Sequence, residues 1–297
     1  MATIILTGGT GFLGRHITSA LLARGHNVLT ISRGARGGVS SDVQPWEALP
    51  DVVQGARAVI NLAGSNVGGA RWSAKVRHDI MASRLVSTRA VVDALRRCPS
   101  SPPALINASA VGYYGNTMVP SNEAMPAGQT FLADVVRRWE EAAEEARGVT
   151  RVALMRVGVV LDASEGALPR LVVPMRLGVG GPLGSGRQWF PWVHRDDVVE
   201  AFCWASEDDG ASGPYNVVAP EAVTMSGFTH ALGHVLHRPS WIPVPTFALR
   251  LLLGRQADIV VHGQYVVPQR LLGAPFRFQH PGLDEALRHL LANTVLS

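Results

Sequence analysis

The chain has 297 residues, 47% of them hydrophobic, which is enough to bury the core of one large domain or of a domain with a smaller lobe. The formal net charge is only +4 and the 27 lysine and arginine residues are scattered, so we expect no specific nucleic-acid binding. The two cysteines, Cys98 and Cys203, lack the spacing of metal ligands or of a disulfide framework, and we expect no metal site.

The apolar stretches of the chain give no sign of export or of a membrane anchor. Met1 leads directly into an apolar strand, without a charged segment, a signal-like apolar region or a cleavage site. The longest aliphatic stretch, residues 242–254, contains two prolines and Arg250 and is too short to cross a bilayer. We therefore expect a cytoplasmic protein with no membrane partner.

A glycine-rich turn follows the first predicted strand. Thr3–Leu6 is a run of β-branched and aliphatic residues typical of a buried strand, and it breaks directly into glycines. Gly8, Gly11 and Gly14 recur every third residue, and apolar residues then continue at helical spacing. In a nucleotide-binding βα unit such glycines let a pyrophosphate approach the amides at a helix start. The pattern predicts a dinucleotide site; the alternative is a structural turn without a ligand.

The residues after the second predicted strand, His26–Ile31, favour one dinucleotide over the other. Sites for NAD usually place an acidic residue here to hold the ribose hydroxyls, whereas this chain has Ser32 and Arg33. A hydroxyl and a guanidinium suit the additional phosphate of NADP. We therefore favour NADP over NAD; the alternative is that Arg33 is a solvated loop residue.

Further βα alternation predicts more strands whose carboxyl ends share one edge. Arg57–Leu62 is a strand that ends in NLAG (Asn61–Gly64), whose small residues let a cofactor ribose lie against the backbone. Leu105–Ser109 is the next strand and continues into SAVGYYG, where we expect the chemistry. Helical patterns over 73–98 and 130–147 and a strand over 151–157 complete this part of the chain.

The alternation becomes irregular after residue 157. A glycine-rich stretch covers 178–197, a helix continues to about Ser206, and the segment from Val223 is rich in proline and aromatic residues. The sequence predicts an α/β fold, a Rossmann-type doubly wound parallel sheet with a smaller C-terminal substrate lobe. The expected divisions are a dinucleotide-binding domain over 1–161 and a mixed segment over 162–297, in which 193–222 completes the sheet and 162–192 with 223–297 forms the lobe.

Seven motifs resemble, in order and over essentially the whole chain, those of the epimerase-like family of atypical extended short-chain dehydrogenases/reductases. Members are often labelled nucleoside-diphosphate-sugar epimerases and sometimes cell-division inhibitors. The motifs are TGGTGFLG, NLAG, SAVGYYG, WEEAA, RVGVVLD, GVGGPLGSGRQWFPWVHRDD and VPQRLL. The first is shared by many families, whereas the long glycine-rich motif and the C-terminal lobe are specific to this one.

The resemblance implies which residues contact NADP. They lie in the glycine turn, after the second strand, in NLAG, on the long helix and after the sixth strand. Taken together with the ribose contact expected at NLAG, the predicted contacts are Gly8, Gly9, Thr10, Gly11, Phe12, Leu13, Gly14, Ser32, Arg33, Leu62, Ala63, Gly64, Asp79, Arg84 and Val160. For Arg84 the alternative is a surface arginine that pairs with an acid.

The chain departs from the wider superfamily at the catalytic dyad. Those enzymes use a tyrosine and a lysine four residues later, which lowers the pKa of the phenol so that it can act as general acid or base. None of the four tyrosines here has a lysine at that spacing, and the only lysine, Lys75, lies early in the long helix. The segment FLADVVRRWE stands where the dyad is expected.

Candidate catalytic residues remain at the end of the Leu105–Ser109 strand. If the protein is an enzyme, we expect Ser109 to orient a substrate oxygen and Tyr113 or Tyr114 to donate the proton. Without a lysine, the phenol needs another field, from the cofactor or an arginine, to shift its pKa. The alternative is that the two tyrosines pack a loop.

The glycine-rich stretch supplies candidates for substrate binding. Arg187 and Gln188 can hold a phosphate or carboxylate, because the guanidinium offers a planar fork to two oxygens. Trp189 and Trp192 would supply apolar or stacking walls. His194 resembles the histidine of the FxHxxD pattern near the substrate pocket of extended superfamily members; the alternative is a hydrogen-bonded core histidine.

Two functions from different classes are consistent with these residues. The first is an NADP-dependent oxidoreductase or epimerase acting on a small polar substrate, with a nucleotide sugar as one candidate. The second is an NADP-binding sensor or scaffold without turnover, linked to cell division by the family label and motivated by the missing dyad. A homodimer through the helices at 73–98 and 130–147 is a further expectation, by analogy with the superfamily.

Overall fold

The computed structural model describes residues 1–32 and 42–292, apart from the side chains of residues 252 and 253. The strands in this part are β1 (Thr3–Thr7), β2 (Asn27–Ile31), β3 (Asp42–Gln44), β4 (Ala58–Asn61), β5 (Ala104–Ala110), β6 (Thr117–Ser121), β7 (Val152–Val157), β8 (Val159–Leu161), β9 (Trp189–Phe190), β10 (Trp192–His194), β11 (Gly213–Val217), β12 (Val223–Thr224) and β13 (Gln264–Val266).

The helices of the same part are α1 (Phe12–Ala23), α2 (Leu49–Val52), α3 (Ala74–Arg97), α4 (Phe131–Glu144), α5 (Leu168–Arg176), α6 (Arg195–Glu207), α7 (Met225–Leu236), α8 (Thr246–Leu253), α9 (Asp258–Val261), α10 (Gln269–Leu272) and α11 (Leu283–Leu291). Three 3₁₀ turns cover Trp46–Ala48, Val111–Tyr114 and Gly254–Ala257. None of the helices in the described ranges is both long enough and apolar enough to span a bilayer.

A parallel sheet of seven strands forms the centre of the described structure. Its order is β11-β7-β5-β4-β1-β2-β3, so the chain winds outward from β1 in both directions. Alternate residues of β1 point to opposite faces: Ile4 and Leu6 pack with α1 and α6, whereas Ile5 packs on the side of α3 and α4. Helices therefore cover both faces, which explains the continuous apolar runs in the sequence. The predicted doubly wound α/β fold is confirmed.

A second apolar cluster lies in the carboxyl-terminal half of the chain. It is formed by α5, α7 and α11 with Phe190 and Trp192. Three two-stranded pairings lie outside the central sheet. β8 pairs with β10 and β6 with β13 in parallel, and β9 pairs with β12 in antiparallel orientation. β11, within the predicted 193–222 segment, forms one edge of the central sheet. The domain boundary at residue 161 stays a prediction.

Candidate functional site

The glycine turn after β1 is closely packed against the start of α1. Gly8 has a φ of +76°, a conformation that residues with side chains rarely adopt. A Cβ added to Gly14 would lie 2.4 Å from the carbonyl oxygen of Gly8, so only glycine lets the helix approach the turn this closely. A Cβ at Gly8 would lie 3.0 Å from the carbonyl carbon of Leu62. The turn therefore lies directly against the NLAG segment after β4.

The start of α1 presents backbone N–H groups without a side-chain acceptor. Gly11 is the N-cap residue, and within the described ranges no side chain caps the helix. Thr10 and Gly11 are exposed, and among the described residues a Cβ on Gly11 would have only the Gly8 oxygen within 4 Å, at 3.2 Å. Uncapped amides at a helix start attract anions. The turn thus has the shape and the charge that a pyrophosphate requires.

A buried polar network fixes the NLAG segment. Asn61, the last residue of β4, accepts from Thr7 Oγ1 at 2.6 Å and donates to Thr88 Oγ1 at 2.9 Å and to Asn107 Oδ1 at 2.6 Å. The indole of Trp139 also donates to Thr88, at 2.9 Å. Because all these groups are partnered, the carboxyl ends of β1 and β4 are held in one arrangement.

Arg84 on α3 lies beside the NLAG segment. Its Nη1 donates to the carbonyl oxygens of Ser65 and Ile80, at 3.1 and 3.0 Å, and its guanidinium lies 5.0 Å from the ring centre of Trp139. No carboxylate pairs with it among the residues that the structure describes. Burial lowers the pKa of Arg84 to about 10. A partly buried cation without a counter-charge is suited to an anionic ligand.

The remaining predicted cofactor residues lie after β2, on α3 and in β8. Ser32 follows β2, and its N–H donates to the Gln44 carbonyl at 3.0 Å. Asp79 is exposed on α3, and Val160 lies in β8, where it pairs with Val193. Arg33 lies outside the described residues. These assignments stay predictions.

Ser109, a candidate catalytic residue, belongs to a buried ion-pair network. Its hydroxyl donates to Glu140 Oε1 at 2.5 Å. Nε and Nη2 of Arg156 donate to the two oxygens of Glu140, both at 2.8 Å. The exposed fractions of Ser109, Glu140 and Arg156 are 4%, 6% and 3%. Burial opposes the charge of Arg156, but Glu140 outweighs it and raises the pKa of Arg156.

The two candidate tyrosines have different surroundings. Tyr114 is buried, accepts from Arg156 Nη1 at 2.9 Å and donates to Asn216 Oδ1 at 2.8 Å. Burial raises the pKa of Tyr114, and the neighbouring Arg156 only partly offsets this. Tyr113 is half-buried, and its ring centre lies 3.6 Å from the guanidinium carbon of Arg156. Within residues 1–32 and 42–292 its hydroxyl has no hydrogen-bond partner, so it is available to bond to another molecule.

Sequence reasoning missed Glu140 and Arg156 as parts of this network. Glu140 is inside the WEEAA motif, and Arg156 lies in the otherwise apolar strand β7. An arginine at a fully buried strand position requires a charged partner, because an unpaired buried charge is too costly. That signal identifies Arg156, but the sequence does not show which of the many glutamates pairs with it.

The predicted substrate residues separate into exposed and buried positions. Arg187 is exposed, and Trp189 is half-buried with its ring stacked on Tyr265 at 4.1 Å. Gln188 is buried, and its amide donates to the carbonyl oxygens of Leu183 and Val260 at 2.8 and 2.9 Å, so it holds lobe segments together.

Trp192 and His194 are both enclosed. Trp192 is 1% exposed and donates from its indole to the Glu221 carbonyl at 2.9 Å, so the expected stacking wall is a core residue instead. His194 is fully buried; its Nδ1 accepts from the Asp196 N–H at 3.0 Å and its Nε2 lies 3.1 Å from His289 Nδ1. Both ring nitrogens have partners, which favours the alternative of a hydrogen-bonded core histidine over contact with substrate.

Comparisons with known proteins agree with this architecture. Residues 4–218 match the NAD dependent epimerase/dehydratase family, and residues 244–290 match a domain of unknown function, DUF1731. The chain is 38% identical to "Epimerase family protein SDR39U1 homolog, chloroplastic" of Arabidopsis thaliana, over 97% of this chain and 86% of the relative. It is 37% identical to "Epimerase family protein YfhF" of Bacillus subtilis, over 98% of each.

A solved structure extends the likeness to three dimensions. The crystal structure of human epimerase family protein SDR39U1 with NADPH superposes with a TM-score of 0.91 at 34% identity, and the match covers 98% of this chain and 99% of the human chain. The resemblance predicted from the sequence motifs is thereby confirmed. The chain belongs to the NAD-dependent epimerase/dehydratase family, with the match to DUF1731 near its carboxyl end.

Proposed function

We propose that the protein is an NADP-dependent oxidoreductase or epimerase that acts on a small polar substrate. One observation carries the proposal: the uncapped glycine turn lies against Leu62, next to an arginine, Arg84, that has no carboxylate partner in the described structure. This arrangement offers space and positive charge for a pyrophosphate. A bound nicotinamide dinucleotide supplies a hydride that can be donated and returned.

The preference for NADP over NAD is part of the proposal. It is supported by Ser32 and Arg33 in the sequence and by the human relative, whose structure contains NADPH. A guanidinium on the additional phosphate contributes about 1.5–3 kcal/mol, or roughly a tenfold to hundredfold gain in affinity. We expect Arg33→Ala to weaken NADPH binding by this factor and to leave NADH binding unchanged. Equal losses for both cofactors would contradict the preference.

The hydrogen bonds of Ser109, Tyr113 and Tyr114 suggest which residue transfers a proton to the substrate. Ser109 donates its hydroxyl proton to Glu140, so its remaining lone pairs can accept from a substrate hydroxyl. Tyr113 is on the 3₁₀ turn that follows β5, and its hydroxyl is free of partners in the described part of the protein. We assign the proton transfer to Tyr113 and a structural role to Tyr114, whose oxygen already links Arg156 to Asn216.

A hydride-tracing experiment tests this assignment. The purified protein is loaded with NADPH deuterated at the nicotinamide C4 position, mixed with a small-molecule extract, and the label is followed by mass spectrometry. We expect deuterium to appear in a metabolite. Tyr113→Phe should abolish the transfer without changing Tm, whereas Tyr114→Phe, the matched control, should lower Tm and retain transfer. Transfer that survives in Tyr113→Phe would overturn the assignment.

A second candidate is a sensor or scaffold that binds NADP without turnover. It is favoured by the inward hydrogen bonds of Ser109 and Tyr114, which are typical of structural residues, and by the missing Tyr-Lys dyad. NADPH should then change the affinity for a protein partner, and Ser109→Ala and Tyr113→Phe should leave the cellular role intact. Loss of the role in these variants, or deuterium transfer to a metabolite, would exclude the sensor.

The partner and compartment are also proposals. A nucleotide sugar is a candidate substrate, because the exposed Arg187 can hold a phosphate group. We place the protein in the cytoplasm, which cell fractionation can check. A homodimer through α3 and α4 predicts twice the chain mass in light scattering.

A further inference from the structure

We propose that His194, His280 and His289 bind a zinc ion through their ring nitrogens, with Asp196 beside them as the carboxylate that orients His194. His194 ends β10, Asp196 is in the first turn of α6, His280 precedes α11, and His289 is on α11. Each residue offers one ligand atom, and these four atoms all lie within 4.8 Å of one another. Three imidazole nitrogens are a ligand set that zinc takes in sites without cysteine, with the fourth position open to water.

Two imidazole nitrogens already have the spacing of ligands on one ion. His194 Nε2 and His289 Nδ1 are 3.1 Å apart. Two nitrogens bound to a tetrahedral zinc at about 2.0–2.1 Å stand about 3.4 Å apart. The ring centre of His280 lies 3.8 Å from that of His194 and 4.5 Å from that of His289. His280 is therefore close enough to complete a three-histidine site after rotation about its side-chain bonds.

An unpartnered ring nitrogen gives a second, independent observation. Nδ1 of His280 is buried and makes no hydrogen bond to any residue that the structure describes. Its Nε2 lies 3.9 Å from Asp196 Oδ2. A buried polar atom without a partner has lost its hydrogen bonds to water without compensation. Coordination of a metal ion would supply the missing partner.

Zinc binding requires the ring proton of His194 to move from one ring nitrogen to the other. The Asp196 N–H donates to Nδ1, so the ring proton is on Nε2, the nitrogen that faces His289. Coordination through Nε2 places that proton on Nδ1 instead. There it can be accepted by the Asp196 carboxylate, whose Oδ2 is 3.7 Å away. Metal-binding histidines are commonly oriented by such a carboxylate. Here the new hydrogen bond from Nδ1 to the carboxylate would replace the bond from the Asp196 N–H to Nδ1, which caps α6.

Charge and exposure also suit a dication. Arg195 bonds to both Asp162 and Asp196, at 2.5 and 2.9 Å, so two carboxylates share one guanidinium and one negative charge is left over. His194 is fully buried, whereas His289 is exposed. An ion can therefore reach the cluster from the α11 side. Once bound, it would connect α11 to β10 and α6.

Titration of tag-free, EDTA-dialysed protein with zinc chloride tests the site. We expect one ion per chain by calorimetry, and a rise in Tm of roughly 4 °C at a hundredfold excess over Kd. Cobalt(II), used as a spectroscopic substitute, should give the intense visible absorption of a tetrahedral complex. Failure to bind one ion per chain, or a weak octahedral cobalt spectrum, would overturn the proposal.

Two variants show whether the cluster is the site. His289→Gln removes an exposed ligand and should weaken zinc binding at least tenfold, with Tm in EDTA unchanged. His262→Gln is the matched control, because His262 also lies near a carboxylate, 3.8 Å from Asp258, but outside the cluster. It should bind zinc as the wild type does. Equal affinities in the wild type and His289→Gln, or equal losses in both variants, would contradict the assignment.

Discussion

Removing the charge of Glu140 should destabilise the protein strongly. In Glu140→Gln, the guanidinium of Arg156 loses a carboxylate that it now meets through two hydrogen bonds of 2.8 Å, and an amide can accept only one of them. Removing one partner of a buried ion pair costs about 3–5 kcal/mol, because the other charge stays buried. With an unfolding entropy of about 2.1 cal/mol/K per residue, this cost lowers Tm by roughly 5–8 °C in a chain of 297 residues.

Calorimetry on matched variants measures this effect. Glu141→Gln is the control, since Glu141 is the next residue of α4, is 59% exposed and pairs with the exposed Arg137 at 2.5 Å. Such surface pairs contribute little, and we expect no change in Tm. Adding Arg156→Met to Glu140→Gln should recover part of the loss, because the guanidinium that had lost its carboxylate is then removed. Equal Tm values for Glu140→Gln and Glu141→Gln would refute the reasoning.

Three further predictions concern the turn, the long helix and the cysteines. Gly11→Ala should weaken NADPH binding at least tenfold, because the added methyl group lies where the pyrophosphate approaches; its Cβ would also stand 3.2 Å from the Gly8 oxygen, so we expect a small fall in Tm. The exposed Gly148→Ala should leave binding unchanged in the same fluorescence titration. Arg84→Gln should reduce the NADPH-induced rise in Tm. The Tm of the ligand-free protein should stay the same or increase, because the substitution removes a buried cation that has no carboxylate partner in the described structure. Ellman's reagent at pH 8 should label Cys98 but not Cys203, whose pKa burial raises to about 12, and should label both in denaturant; rapid labelling of both in native protein would contradict this.

The elements around the glycine turn after β1 were predictable because their signals are local. The strand predicted over Thr3–Leu6 is Thr3–Thr7, and the helix predicted over 73–98 is Ala74–Arg97. Apolar runs, glycine spacing and the Ser73 cap are all contained in short windows of sequence. The rules of βα winding then restrict the sheet to a few strand orders, and the structure shows which of them the chain adopts.

The contacts that decide the chemistry were not predictable in this way. Ser109 and Tyr114 were identified as candidates, but the hydrogen bonds that fix both to Glu140 and Asn216 depend on tertiary packing. The cluster around His194 was missed for the same reason: residues 280 and 289 are far from it along the chain and have no ligand spacing. Sequence composition therefore indicated no metal.

The pairing of β6 with β13 has a consequence for biosynthesis. Thr117 pairs with Gln264, which follows it by 147 residues. Val266 packs with Val111 and Tyr114 of the 3₁₀ turn Val111–Tyr114, which holds the two candidate catalytic tyrosines. A ribosome adds about 5–20 residues per second, so roughly 7–30 s pass between the synthesis of the two strands. During this time the central sheet can begin to form, but the Val111–Tyr114 turn lacks Val266, one of the residues that it packs against. A nascent chain released before residue 264 would therefore expose apolar surface of Val111 and Tyr114 that chaperones can bind.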